Sequence, residues 1–345
     1  KGDRSFIGGP AYYISKGLGS RAWAVTFAVL ITLTFALAFN TVQSNTISSA
    51  FNECFGLPHH VTACVLTVMT LVIIWGGVQR ISRFSEIVVP VMAIAYIGLA
   101  IVIIILNIQR VPEIISLIVN SAFNGESALG GGLGAAMVMG IKRGLFSNEA
   151  GEGSTPNAAA TASVTHPVKQ GLIQALGVYT DTLIVCSATA FIILCSGVWT
   201  GEHDGIVLTQ HAIDAGLGGT HRWGSTFVCI AIFFFAFTSI VSNYYYGEAN
   251  MLYICNSRRL VDGLRILVGG MVYLGAVTSL DLVWGFADIT MAMMTLCNLA
   301  AILVLWRYAV ILMRDYSSQL RAGKDPVYVS STIPSIAHLT ECWRP

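Results

Sequence analysis

The chain has 345 residues, of which 55% are hydrophobic and only 11% charged, with a mean hydropathy of +0.71. Soluble domains carry about 25% charged residues, so a water-soluble domain is excluded. The formal net charge of +1 and the lack of a basic patch with interleaved aromatics argue against a nucleic-acid partner.

Residues 1–21 are polar and glycine-rich and read as a cytoplasmic lead-in. The first residue is lysine and no signal peptide is visible, so the sequence reads as starting inside a longer arrangement. A bilayer core about 30 Å thick takes roughly 20 apolar residues per helix. Eight segments meet that length: 22–49, 60–78, 84–107, 128–148, 170–198, 223–254, 263–280 and 282–313. The fourth is glycine-rich and carries Lys142 and Arg143, because small faces in membrane helices allow close packing. The connection 199–222 is either an exposed loop or a short surface helix serving as an outer lid. Residues 314–345 form a charged tail. With a cytoplasmic lead-in, 17 of the 19 basic residues fall at inner loops and ends, and only Arg110 and Arg222 at outer ones. The positive-inside rule therefore puts both ends of this chain in the cytoplasm.

Catalytic signatures are missing. There is no phosphate loop GxxxxGK[ST], no HExxH and no GxSxG. His59 and His60 read as outer-loop surface residues. The eight cysteines are scattered, without a CxxC pair, and read as small buried hydrophobes. An intramembrane enzyme needs a nucleophile or metal constellation at one depth, and none is visible.

Polar residues inside the spans are more informative, since a polar group in lipid must face the bundle or a water-filled cavity. The first span ends in Asn40-Thr41-Val42-Gln43-Ser44-Asn45-Thr46. The sixth holds Thr238-Ser239 and then Ser242-Asn243. Asp181 lies in the fifth span and Asp288 in the eighth. Each single residue has a structural reading, a helix–helix hydrogen bond; the set, spread over several helices, reads as a central pathway. The densest stretch is KRGLFSNEAGEGSTPNAAAT, residues 142–161. There Gly151 suits a left-handed cap after Asn148 and Glu149. Ser154 or Thr155 caps a new helix with Pro156 in its first turn, an alanine-rich cytoplasmic helix near 155–166.

That stretch, together with GGPAYYISKGLG (8–19), FNTVQSN (39–45) and FAFTSIVSNYYYGEAN (235–250), resembles the alanine or glycine:cation symporter family of bacterial sodium:alanine symporters. The resemblance runs to about residue 315. It implies an all-α polytopic membrane protein with the leucine-transporter-like (APC superfamily) inverted-repeat fold, here lacking its first two core helices. Segment 22–127 then holds core helices three to five, and 128–313 core helices six to ten. The implied activity is sodium-coupled symport of a small neutral amino acid, alanine or glycine, across the bacterial inner membrane. Proton coupling and a truncated non-transporting protein are the alternatives. The resemblance implies no cofactor, with Na⁺ as the coupling ion and the lipid bilayer as surroundings. It points to Gln43, Ser239 and Asn243 as substrate-binding residues and to Thr238 and Ser239 as sodium-binding residues. Hard cations prefer oxygen ligands, and hydroxyls supply them without burying a carboxylate. Asn148, Glu149, Asp181 and Asp288 are left with gating or structural roles. A bulky aromatic is the family's expected residue at Asn243, so this departure suggests a roomier or more polar pocket.

Overall fold

The computed structural model describes residues 6–76, 79–123, 132–198, 203–219, 222–337, 339–340 and 343, and these are all-helical. Residues 128–131 of the fourth predicted span lie outside them, as do Lys1, Arg4, Glu202, Cys342 and Arg344.

In chain order the helices are α1 Pro10–Gly17, α2 Arg21–Phe55, α3 His59–Gly76, α4 Gln79–Leu106, α5 Val111–Phe123, α6 Gly132–Asn148, α7 Thr155–Ala159, α8 Pro167–Ser196, α9 Gly205–Gly216, α10 Trp223–Ile254, α11 Arg258–Val277, α12 Leu280–Arg321 and α13 Pro334–Ala337. Seven of them are long and apolar enough to cross a bilayer: α2, α3, α4 from Val88, α8, α10, α11 and α12. The fourth predicted span is present as α6, with 17 residues described.

The centre of the bundle is α2, whose most apolar window is 67% buried against 11% for α4. Helices α10, α11 and α12 pack on it. One apolar cluster joins α1, α2 and α12 through Ile14, Phe27, Phe35 and Met294. A second joins α2, α3, α10 and α11 through Ile47, Leu66, Tyr244 and Val268. A third ties α4, α8 and α9 to α10. Helices α2 and α11 touch backbone to backbone: a Cβ on Gly275 would collide with the main chain of Thr41. Only a glycine permits that approach.

Several local expectations need correction. His59 opens α3, with its Nδ1 2.8 Å from Ser48 Oγ, and His60 Nδ1 is 3.1 Å from the Tyr273 hydroxyl. Both are exposed, as expected of surface residues, but they start a helix and have partners. The helix after Ser154 stops at Ala159 instead of running to 166. A helix cannot reach 166, because His166 precedes Pro167 and takes an extended conformation. Helix α12 continues to Arg321, so the first part of the predicted tail is helical. The connection 199–222 contains a helix, α9, tied across the C-terminal end of α2. Buried Gln210 donates to Ala50 O at 3.2 Å, and Asp214 caps α10 by accepting from Ser225 N at 2.9 Å.

Candidate functional site

Helix α2 is wound as a π-helix over Thr32–Phe39, a distortion frequent at functional sites. Asn40 follows it directly. Its side-chain nitrogen donates back to Ala36 O at 3.0 Å, and its oxygen accepts from Asn243 Nδ2 at 3.1 Å. Both asparagines are buried. One turn below Asn243 on α10, the Ser239 and Thr238 hydroxyls both donate to Phe235 O at 2.9 Å. Such back-bonding is common in membrane helices. It uses each hydroxyl's proton and leaves its oxygen lone pairs available. Gln43, one turn beyond Asn40, is half-buried and has no hydrogen-bond partner among the described residues. Gln43, Thr238, Ser239 and Asn243 thus lie on the two helices that form the central seam. The structure adds Asn40 as the link between them, which no short-range pattern in the sequence marks out from its polar neighbours.

An aromatic ladder crosses the bundle beside this seam. Phe35 and Phe39 have ring centroids 4.6 Å apart, Phe39 and Phe146 4.5 Å, and Phe146 and Trp284 4.6 Å. The Arg143 guanidinium lies 3.8 Å from the Trp284 ring centroid. Arg143 also pairs with Asp288, and Lys142 Nζ is 3.4 Å from the same carboxylate. Ionisable residues at membrane depth persist when paired in this way. Lys142 and Arg143 therefore belong to the bundle, not to the loop ends among which the sequence analysis counted them.

The predicted polar residues at the end of α6 meet α8. Ser147 Oγ donates to Asp181 at 2.6 Å, and Asn148 Nδ2 donates to Thr182 Oγ1 at 3.0 Å. Asp181 and Thr182 sit in a second π-helical stretch, Thr180–Cys186. Asp288 is not part of this group. The left-handed residue that stops α6 is Glu149 itself, φ +54°, ahead of Gly151 at +85° and Gly153 at +95°. Among the described residues it is the one non-glycine with positive φ, a conformation that costs a side-chain residue about 1 kcal/mol and recurs at functional sites. Ser154 begins α7, but its hydroxyl donates to Glu149 Oε2 at 2.5 Å and caps no backbone N–H. Burial raises the Glu149 carboxyl to about 7, with the Ser154 hydrogen bond opposing and Asp181 adding to it, and raises the Glu152 carboxyl to about 9, with Glu149 adding to it. Glu152 is a residue of this site that the sequence does not single out. Its one signal was the pair of glycines flanking it, which let the chain approach its neighbours closely.

Two cavities open in the fold, the second against Trp284 at the end of the ladder. The first, about 700 Å³, is lined by Glu149, Thr155, Gln170, Gln174 and Asn298 among others. The second, about 610 Å³, is lined by Asn45, Asp204, Thr209, Ser279 and Trp284 among others, beneath α9. Asn298 lies 18 positions after Leu280 in α12, about 27 Å along the helix axis. The cavities thus belong to opposite ends of the bundle.

A helical bundle with amides, hydroxyls and paired charges turned into its centre, and cavities toward both ends, defines a multi-pass membrane transporter. The chain belongs to the sodium:alanine symporter family, whose model matches residues 1–330. It is a transporter and not an enzyme. It is 48% identical to the amino-acid carrier protein AlsT of Bacillus subtilis (strain 168), over 98% of this chain and 72% of that protein. It is 47% identical to the probable sodium/glutamine symporter GlnT of the same organism, over 98% of this chain and 70% of the relative. It is 37% identical to the sodium/proton-dependent alanine carrier protein of Bacillus sp. (strain PS3), over 92% of this chain and 75% of the relative.

Proposed function

We propose that the protein carries a small neutral amino acid, alanine or glycine, into a bacterial cell together with sodium, by alternating access across the inner membrane. The observation that carries this reading is the α2–α10 seam. Gln43 is unpartnered among the described residues, the Asn243 side-chain oxygen accepts no hydrogen bond there, and Thr238 and Ser239 keep free lone pairs. Amide groups match the carboxylate and ammonium of an amino acid, and hydroxyl oxygens match sodium. Related proteins named for alanine and for glutamine support a neutral amino acid as cargo, with the range wider than alanine alone. In this reading the fold is leucine-transporter-like, segments 22–127 and 128–313 belong to its two inverted repeats, and both chain ends are cytoplasmic. The two cavities are the inner and outer vestibules, with the aromatic ladder between them. Asn148, Glu149, Asp181 and Asp288 hold the surroundings of the pathway.

The test is uptake by the purified protein in liposomes. An inward sodium gradient should accumulate labelled alanine, with glycine and glutamine competing. Accumulation unchanged when choline replaces sodium would refute sodium coupling.

A further inference from the structure

Glu152 is fully buried, and neither of its carboxyl oxygens has a hydrogen-bond partner among the described residues. Neither Glu152 nor Glu149 makes an ion pair there. An ionised carboxylate without a donor or counter-ion is strongly disfavoured away from water, and such a group takes up a proton instead.

The burial is enforced by the surroundings. Asn298 Nδ2 on α12 donates to Gly151 O at 2.8 Å, and Asn157 Nδ2 donates to Gly153 O at 2.9 Å. Asn250 Nδ2 on α10 holds Asn157 Oδ1 at 3.0 Å, and the Tyr13 hydroxyl on α1 donates to Asn298 Oδ1. At Gly153 a Cβ would stand 2.8–2.9 Å from Phe27, Asn298 and Pro10, so no side chain there can ease the segment outward. Glu149, by contrast, is half-buried and lines the 700 Å³ cavity.

We propose that Glu152 is a proton-binding site that holds its proton in this conformation, and that Glu149 exchanges the proton between Glu152 and the cavity. The groups around them agree. On their own segment each carboxylate faces the other. From α10 comes Tyr246, which faces Glu149, from α8 Asp181, which acts on Glu149, and from α12 Asn298, which holds the segment at Gly151 O. The nearby cations of α6, Lys142 and Arg143, are engaged by Asp288. The strong upward shift of both carboxyls has the same cause, burial. A metal ion fits less well, because it needs several oxygen ligands. Here the carbonyls of Gly151 and Gly153 already accept from asparagines, and the Ser154 hydroxyl donates to Glu149. Repacking of segment 149–157 during transport is then linked to binding or release of one proton.

The link to transport rests on the proposed function, whereas proton binding itself does not, and the experiment separates the two. The purified protein, Glu152→Gln and Glu149→Gln are compared for thermal unfolding from pH about 6 to about 10 and for infrared absorption by protonated carboxyls. The folded chain keeps the Glu152 proton at a pH where the unfolded chain has lost it. The unfolding midpoint of the native protein should therefore fall as pH rises towards about 9. Glu152→Gln should lose this pH-dependent component and a protonated-carboxyl band present at neutral pH. Glu149→Gln removes the neighbouring charge, so the fall should move to lower pH. In liposomes at fixed sodium, uptake by Glu152→Gln should lose a pH-dependent component present in the native protein. A native-like pH response and infrared band in Glu152→Gln would overturn the proposal. If that variant does not fold, an unshifted profile in Glu149→Gln overturns it. Failure of alanine uptake by the native protein would count against the transport reading alone, and the infrared and unfolding measurements would still decide the proton site.

Discussion

Asn243 on α10 donates its side-chain amide to the Asn40 oxygen on α2 at 3.1 Å, joining residues 203 positions apart at the point where the π-helical stretch of α2 ends. Each asparagine is buried. Replacing one by alanine leaves the other amide short of a partner, which costs about 1–3 kcal/mol. A double-mutant cycle with Asn40→Ala and Asn243→Ala should give a coupling energy of about 0.5–1.5 kcal/mol, the range of interhelical hydrogen bonds in membranes. Additive losses would show that the contact carries no energy. Asn243→Trp should narrow the range of competing amino acids, as expected for a side chain facing the cargo. An unchanged competition profile would confine Asn243 to the helix–helix contact.

The sodium site is tested by Thr238→Ala combined with Ser239→Ala. Both hydroxyls leave their carbonyl partner Phe235 O without cost to the helix ladder. Removing two oxygen ligands should raise the sodium concentration for half-maximal uptake by at least about tenfold. The alanine affinity at saturating sodium should change much less. Normal sodium dependence in the double variant would move the ion elsewhere, with Asp181 and Asp288 as the next places to look.

Orientation is tested by accessibility. Asp204 and Arg258 are both exposed and lie at opposite ends of α10 and its connections. After replacement of the exposed native cysteines Cys64 and Cys255, Asp204→Cys should react with an impermeant thiol reagent from outside. Arg258→Cys should react only after the membrane is permeabilised. The reverse pattern would invert the assignment.

His166 tests the junction between the inner segment and the tail. Its Nδ1 accepts from Val168 N at 3.1 Å, capping α8, so Nε2 carries the proton and meets Asp315 Oδ2 at 3.2 Å. Burial lowers its tendency to take a second proton, with Asp315 opposing. The folded chain then binds fewer protons than the unfolded chain below about pH 6.5, so this contribution to stability is lost on acidification. His166→Asn keeps a capping oxygen that does not titrate. The stability difference between the native protein and His166→Asn should shift against the native protein as pH falls from about 6.5 to about 5. A difference constant with pH would mean that the imidazole does not stay neutral.

The extent of the apolar runs determined the spans at the level of sequence. Crossing a bilayer depends on a local sum of residue hydropathies and a length, and neither requires knowledge of the partners. Seven of eight expected spans are therefore long apolar helices, and the eighth is at hand as α6. The stretch from Lys142 to Thr161 also showed at once that the chain changes character after Asn148. What it does there was not legible. Whether Glu149, Gly151 or both turn left-handed, and whether α7 ends at 159, depends on Asn298, Asn157 and Pro167. The counter-ion of Asp288 lies on α6, 145 residues away from it in the case of Arg143. The orphaned carboxyl of Glu152 is a consequence of four elements closing around it. Tertiary structure alone decided these points, because a pairing or a burial is set by which helix faces meet, and sequence separation carries no information about that.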